Sequence, residues 1–221
     1  MPPDPLPARE AIAPRETSSA ANGPDTETLD GALEGALVAV GELGYRETSV
    51  RAILERSGWH RVQFYRHFES KEDCFAKAYA TWIDRLCVGL LEAAASVPGW
   101  EAGVRAALVA LFRFVSEQPA IARALFVEVQ IAGEPALARH EAATERLAAA
   151  IDSVRADLDP DEAPPESTAG FVVGGIEAAV CEALTAGDPE RVWDTLPELI
   201  HFVVGSYFGR DAADRAFEEA R

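Results

Sequence analysis

The chain has 221 residues, 48% of them hydrophobic, enough for one large domain or for a small head joined to a larger body. Its three cysteines, Cys74, Cys87 and Cys181, are odd in number and lack CxxC spacing, which argues against a disulfide framework and against a zinc site. A formal charge of −17 disfavours a polyanionic partner for the chain as a whole, and no apolar run nears the ~18 residues of a spanning helix.

Residues 1–24 hold six of the fourteen prolines among Ser, Ala, Asn and Gly, and this composition predicts a disordered tail. The opening MPPDPLPARE has no apolar block between a basic start and a cleavage site, so a soluble, cytoplasmic protein with no membrane partner is expected. From Thr28, the residues Leu29, Leu33, Ala36, Leu37, Val40 and Leu43 recur at helical spacing, and Gly44 is placed for a left-handed cap. Thr48 is expected to cap a short second helix that turns Val50, Ile53 and Leu54 inward and breaks at Ser57-Gly58. The next segment, His60 to Phe68, sets Phe64 and Phe68 one turn apart on one face and leaves Arg61, Val62, Gln63 and Tyr65 to face outward. Ser70 then caps a long helix over about 71–96, stopped by Pro98-Gly99.

Further helices are expected over about 100–117, 119–132, 134–158, 167–186 and 189–209, with a frayed acidic end beyond. Pro119, Pro135 and Pro189 suit positions at or near the start of a helix, where a missing N–H costs nothing. No strand alternation is present, so the fold class is all-α. Between Gly44 and Lys71 six basic residues face three acidic ones, a local charge of +3, whereas residues 1–43 carry −6 and residues 72–221 carry −14.

Two short helices joined by a Gly-containing turn inside the basic window fit a helix-turn-helix, in which the first helix braces on the backbone and the second enters the major groove. The residues Gly44-Tyr45-Arg46-Glu47-Thr48-Ser49-Val50-Arg51-Ala52-Ile53, then Ser57-Gly58, then Phe64-Tyr65-Arg66-His67-Phe68-Glu69-Ser70-Lys71-Glu72 closely resemble the head of the tetracycline-repressor family. The resemblance covers about residues 28–75. It implies an N-terminal three-helix head over 25–70 that binds double-stranded operator DNA. It also implies a helical-bundle body over 71–221 for ligand binding and dimerisation.

By the same resemblance, His60, Arg61, Val62 and Gln63 stand where family members read base edges: Arg suits guanine, Gln adenine, and Val a thymine methyl. Tyr65, His67 and Lys71 match phosphate-gripping positions, and Ser49 and Arg51 can do the same from the second helix. The pattern is broken by Trp59, where a small apolar residue is usual, and by His60, where a hydroxyl N-cap is usual and its loss costs ~1 kcal/mol. Asp25, Glu27 and Asp30 stand where relatives often carry Arg or Lys, so weak non-specific affinity and salt-sensitive operator binding are expected.

An effector pocket for an unknown small molecule is expected within residues 100–180, its candidate walls being Phe112, Phe126, Gln130, His140 and Phe171. A two-fold dimer is expected on the last two long helices, where small residues Gly174, Ala178 and Cys181 allow close approach and Leu196, Ile200, Val203 and Tyr207 add apolar surface. Glu198-x-x-His201 has the spacing of half a di-iron site but no second such pair, so no metal is expected. No cofactor is expected either. Walker loops, GxSxG elbows and nucleophile pairs are absent from the sequence, so no catalysis is expected. The function implied is a ligand-responsive transcriptional regulator, a repressor released from a palindromic operator by a small molecule. The competing reading is a non-catalytic helical ligand-binding protein, or an adaptor whose head no longer binds DNA.

Overall fold

The computed structural model describes residues 24–161 and 163–221, so the tail expected over residues 1–24 lies outside the described residues except for Pro24. The described residues form ten α-helices and no strand. The first four are α1 (Pro24–Leu43), α2 (Val50–Ser57), α3 (Arg61–His67) and α4 (Lys71–Ala95). Then follow α5 (Trp100–Glu117), α6 (Pro119–Phe126), α7 (Glu134–Asp152), α8 (Thr168–Thr185), α9 (Leu196–Phe208) and α10 (Arg210–Ala220). Tighter 3-10 turns occupy Glu128–Ile131, Ser153–Asp157 and Pro189–Thr195, so the helices expected over 119–132, 134–158 and 189–209 are each shortened.

The chain forms two compact units. The first contains the described residues up to Leu86 together with Gln118–His140, and the second contains Cys87–Glu117 and Glu141–Arg221.

In the first unit α1 ends at Gly44, whose φ of 83° only glycine adopts cheaply and whose N–H bonds the Val40 carbonyl at 2.8 Å. Thr48 does not cap α2 as expected. It is buried, and its hydroxyl lies within hydrogen-bonding reach of the carbonyls of Gly44 (2.8 Å) and Ala39 (3.2 Å). The cap is Ser49, whose Oγ accepts from the Ala52 N–H at 3.3 Å. Gly58, with φ 69°, closes α2 through its N–H to the Leu54 carbonyl. The core beneath these turns is made by Leu37, Val40, Ile53, Phe64, Phe75, Tyr79, Trp82 and Leu125, all almost fully buried. Helices α1 and α6 meet at a glycine: a Cβ on Gly41 would stand 1.8 Å from the Ala120 carbonyl oxygen. On α4, the Tyr79 hydroxyl donates to the Leu125 carbonyl at 3.3 Å and lies 2.9 Å from His140 Nδ1.

In the second unit Phe112 is fully buried, edge-on to Trp193, whose indole N–H donates to Ser116 Oγ at 2.9 Å. Trp100 bonds the Ile151 carbonyl at 2.9 Å and packs on Tyr207 and Phe208. Arg155 ties down the proline-rich connection after α7 by donating to the carbonyls of Pro164 and Pro165 while pairing with Asp152. By length and composition α8 could cross a bilayer. Here its Val172, Val173, Ile176 and Val180 are instead buried within the unit.

The frayed acidic end expected after residue 209 is instead α10, because its small residues Ala212, Ala213 and Ala216 bury against α9. Arg105 caps its last turn by donating to the carbonyls of Ala216 and Glu219. His201 on α9 bonds Asp214 Oδ1 at 3.0 Å.

None of the three cysteines forms a disulfide. Burial pushes the Cys74 thiol up to about 12, and Cys87 is equally enclosed, while burial raises Cys181 above the ordinary thiol range although it is only half-buried. Because the thiolate is the nucleophile, a maleimide at neutral pH is expected to modify Cys181 first and slowly. Cys74 and Cys87 should be labelled only after denaturation, as peptide mass spectrometry would read. Early labelling of Cys74 in folded protein would contradict this burial.

Candidate nucleic-acid interface

Helix α3 is seven residues long, too short to stand alone, and its position comes from what surrounds it. Phe64 and Phe68 face inward with ring centroids 5.1 Å apart. Trp59, just before the helix, is buried and lies 6.0 Å from the Phe68 ring in stacked orientation and 5.1 Å from the His67 ring. The large residue that departs from the family pattern thus anchors the far end of the helix. From α4, Lys77 Nζ donates to the His67 carbonyl at 3.1 Å, fastening the C-terminal end.

The N-terminal end lacks a hydroxyl cap, and the Gln63 side chain compensates, its Oε1 accepting from the His60 backbone N–H at 3.0 Å. A bidentate contact to adenine needs both the carbonyl and the amino group of a glutamine. In this conformation Gln63 is therefore committed to helix initiation rather than set for base reading.

The side chains that project from α3 are Arg61, Val62, Tyr65, Arg66 and His67, with His60 at the entrance. Val62 is 74% exposed and Tyr65 48%, a solvent exposure that neither apolar group gains from in an isolated protein. The Arg61 guanidinium sits 5.6 Å from the Tyr65 ring centroid, which holds the two on one face. Ser49 and Arg51 are exposed on α2. Ser49 Oγ is used as an acceptor and keeps its O–H, while Arg51 pairs with Glu55 at 2.8 Å. Lys71 is turned inward: its Nζ donates to the Tyr45 carbonyl at 3.0 Å and lies 4.5 Å from the Tyr45 ring.

Phe126, Gln130 and His140 belong to the first unit, where Gln130 is exposed; Phe112 and Phe171 belong to the second, where Phe171 is 73% exposed. Gln130 and Phe171 therefore do not line an internal pocket as expected. A cleft of about 450 Å³ in the second unit is lined instead by Trp100, Arg105, Ile200, Phe208, Ala216 and Glu219. Of the dimer residues, Gly174 and Ala178 are exposed on α8, and Cys181 and Leu196 are half-buried. Ile200, Val203 and Tyr207 are buried inside the unit, correcting their expected place on an outer face, and Phe202 takes that place at 44% exposure.

Residues 32–78 match the family model of the bacterial regulatory proteins, tetR family. Over this segment, which spans most of α1 through the start of α4, the chain is similar to that family's DNA-binding head. None of the curated proteins matches the chain by sequence. Among solved structures, the transcriptional regulator FadR from Bacillus subtilis, in complex with stearoyl-CoA, superposes with a TM-score of 0.68 at 11% identity, over 80% of this chain and 97% of that one. A TetR family transcription regulator from Marinobacter aquaeolei VT8 gives 0.60 at 20% identity, over 89% of this chain and 94% of that one. The tetR regulator tylp from Streptomyces fradiae gives 0.60 at 18% identity, over 90% and 99%. The described residues thus share the fold of these regulators over 80–90% of the chain.

Proposed function

We propose that the chain is a cytoplasmic, homodimeric transcriptional regulator that binds a palindromic operator through α2 and α3 and is released from it by a small molecule. In this reading residues 25–70 form the DNA-binding domain and residues 71–221 the ligand-binding and dimerisation domain, with no catalytic step. The observation that carries it is the outward face of α3. A helix fixed at both ends presents Arg61, Val62 and Tyr65 to solvent inside the one basic segment of an acidic chain. The complex of FadR with stearoyl-CoA supports effector binding by a body of this fold. The exposed stripe Gly170, Phe171, Gly174 and Ala178 on α8, together with Phe202 on α9, supports pairing of two copies.

Arg61 and Val62 are assigned to base edges, and Tyr65, His67, Ser49 and Arg51 to phosphates. Arg61→Ala is expected to cost ~1–3 kcal/mol on the operator and to relax base preference, whereas Arg51→Ala should weaken all duplexes alike and flatten the salt dependence by about one unit. Fluorescence anisotropy against a duplex selected from a random pool by the wild-type protein, and against a random duplex, reads both. Equal losses on the two duplexes for Arg61→Ala would remove it from base reading.

A further inference from the structure

We infer that Glu128 is a positioning residue for the DNA-binding head: from the 3-10 turn after α6 it holds the backbone of Tyr45 and so sets where α2 and α3 stand. The inference rests on the reading of the head as a DNA-binding element. It concerns a residue 83 positions away in sequence from the backbone group that it holds.

Glu128 is a carboxylate at 6% exposure, and such a burial is unfavourable unless each oxygen finds a partner. One oxygen, Oε1, faces Arg123 of α6 at 3.2 Å. The other, Oε2, accepts the Tyr45 backbone N–H at 2.8 Å. That N–H is the one the end of α1 leaves over. A helix can close with the N–H after its left-handed glycine bonded back into the last turn, but here only Gly44 bonds back, to Val40. Tyr45 is left a buried donor with no partner in α1, and Glu128 supplies one.

The same residue is held through its other backbone group. Lys71, at the start of α4, donates to the Tyr45 carbonyl at 3.0 Å and lies over its ring. Tyr45 is thus gripped at N–H by an anion from the α6 side and at C=O by a cation from α4. The next turns of the chain follow from it, since Thr48 bonds the Gly44 carbonyl through both its N–H and its hydroxyl, and Ser49 then opens α2. Neither charge touches the exposed face of α3, so neither reads DNA directly through this contact. What they control is the position of the turn from which α2 starts, and with it the bracing of α3. A shift of the Glu128–Ile131 turn by the length of a hydrogen bond frees Tyr45, which gives the body a direct handle on the head in addition to α4.

The test uses the full chain, with amide exchange followed by NMR and binding measured on the selected and random duplexes. Glu128→Ala is expected to speed exchange at Tyr45 by about tenfold or more while the α2 and α3 core amides keep their protection. Affinity for the selected duplex should fall by about tenfold, with the random duplex changed less than about twofold. Glu128→Gln keeps an acceptor of the same length, so it should restore most of the Tyr45 protection and of the selected-duplex affinity. It also serves if the alanine variant fails to fold. Unchanged Tyr45 exchange in Glu128→Ala overturns the inference, as does a uniform rise in exchange across the first unit, which would mark a merely stabilising residue. Faster Tyr45 exchange with unchanged selectivity also overturns it. If the wild-type chain selects no duplex at all, the DNA-binding reading fails on its own, while the Tyr45 exchange still reports whether Glu128 holds the turn.

Discussion

Gly41→Ala is expected to destabilise the first unit by about 3 kcal/mol or more, because overpacking against rigid backbone costs ~1–3 kcal/mol and occasionally exceeds it. The added Cβ would lie 1.8 Å from the Ala120 carbonyl oxygen and 2.5 Å from its carbon, so α1 and α6 would have to separate along their contact. Alanine's better helix propensity, worth ~1 kcal/mol, does not offset this. Gly31 provides the control on the same helix: it is exposed, nothing lies within 4 Å of its Cβ, and alanine there should stabilise by ~0.5–1 kcal/mol. Thermal melts followed by circular dichroism should place the two variants on opposite sides of wild type, with Gly41→Ala lower by about 6–12 °C. A Gly41→Ala melt at or above wild type would falsify the close packing of these helices.

Gly174→Arg should separate folding from assembly. Nothing lies within 4 Å of a Cβ at Gly174, so the isolated chain accommodates the larger side chain without strain. In a two-fold pair built on Gly170, Phe171, Gly174 and Ala178, the same substitution brings two guanidinium groups to the axis, each forced from water beside a like charge. Sedimentation velocity at micromolar concentration should show a wild-type dimer and a variant monomer with unchanged helicity. Operator affinity should drop by about 100-fold or more, since each head would then bind its half-site alone. A variant that remains dimeric would move the interface away from α8.

The local devices of the head were legible wherever a single residue type carries them. Gly44 and Gly58 end their helices at positive φ, and Ser70 caps α4 with Oγ accepting from Asp73 N–H at 3.2 Å. Thr48 and Ser49 are adjacent hydroxyl residues, and which one caps was decided by burial, a tertiary fact that pattern does not encode. The exposed face of Arg61, Val62 and Tyr65 follows from the spacing of Phe64 and Phe68. The inward roles of Gln63 and Lys71 do not follow from spacing, because both point to backbone groups that carry no sequence signature. Helix α10 was hidden by its charges, since alanines serve as its buried stripe and score as weakly apolar in any periodicity. Glu128 was hidden by distance: an isolated acid between valines reads as a solvated residue until its partner at Tyr45 is known.

The cap that Gln63 places on the His60 N–H also limits how this head can change its target over evolutionary time. Gln63 is taken up by helix initiation, so an exchange there that brought a base-reading side chain would loosen the start of a seven-residue helix with few other local supports. Position 62 carries no such duty at the helix start. New target sequences are therefore most accessible by drift at Val62, with residue 63 following only after a serine or threonine has replaced His60.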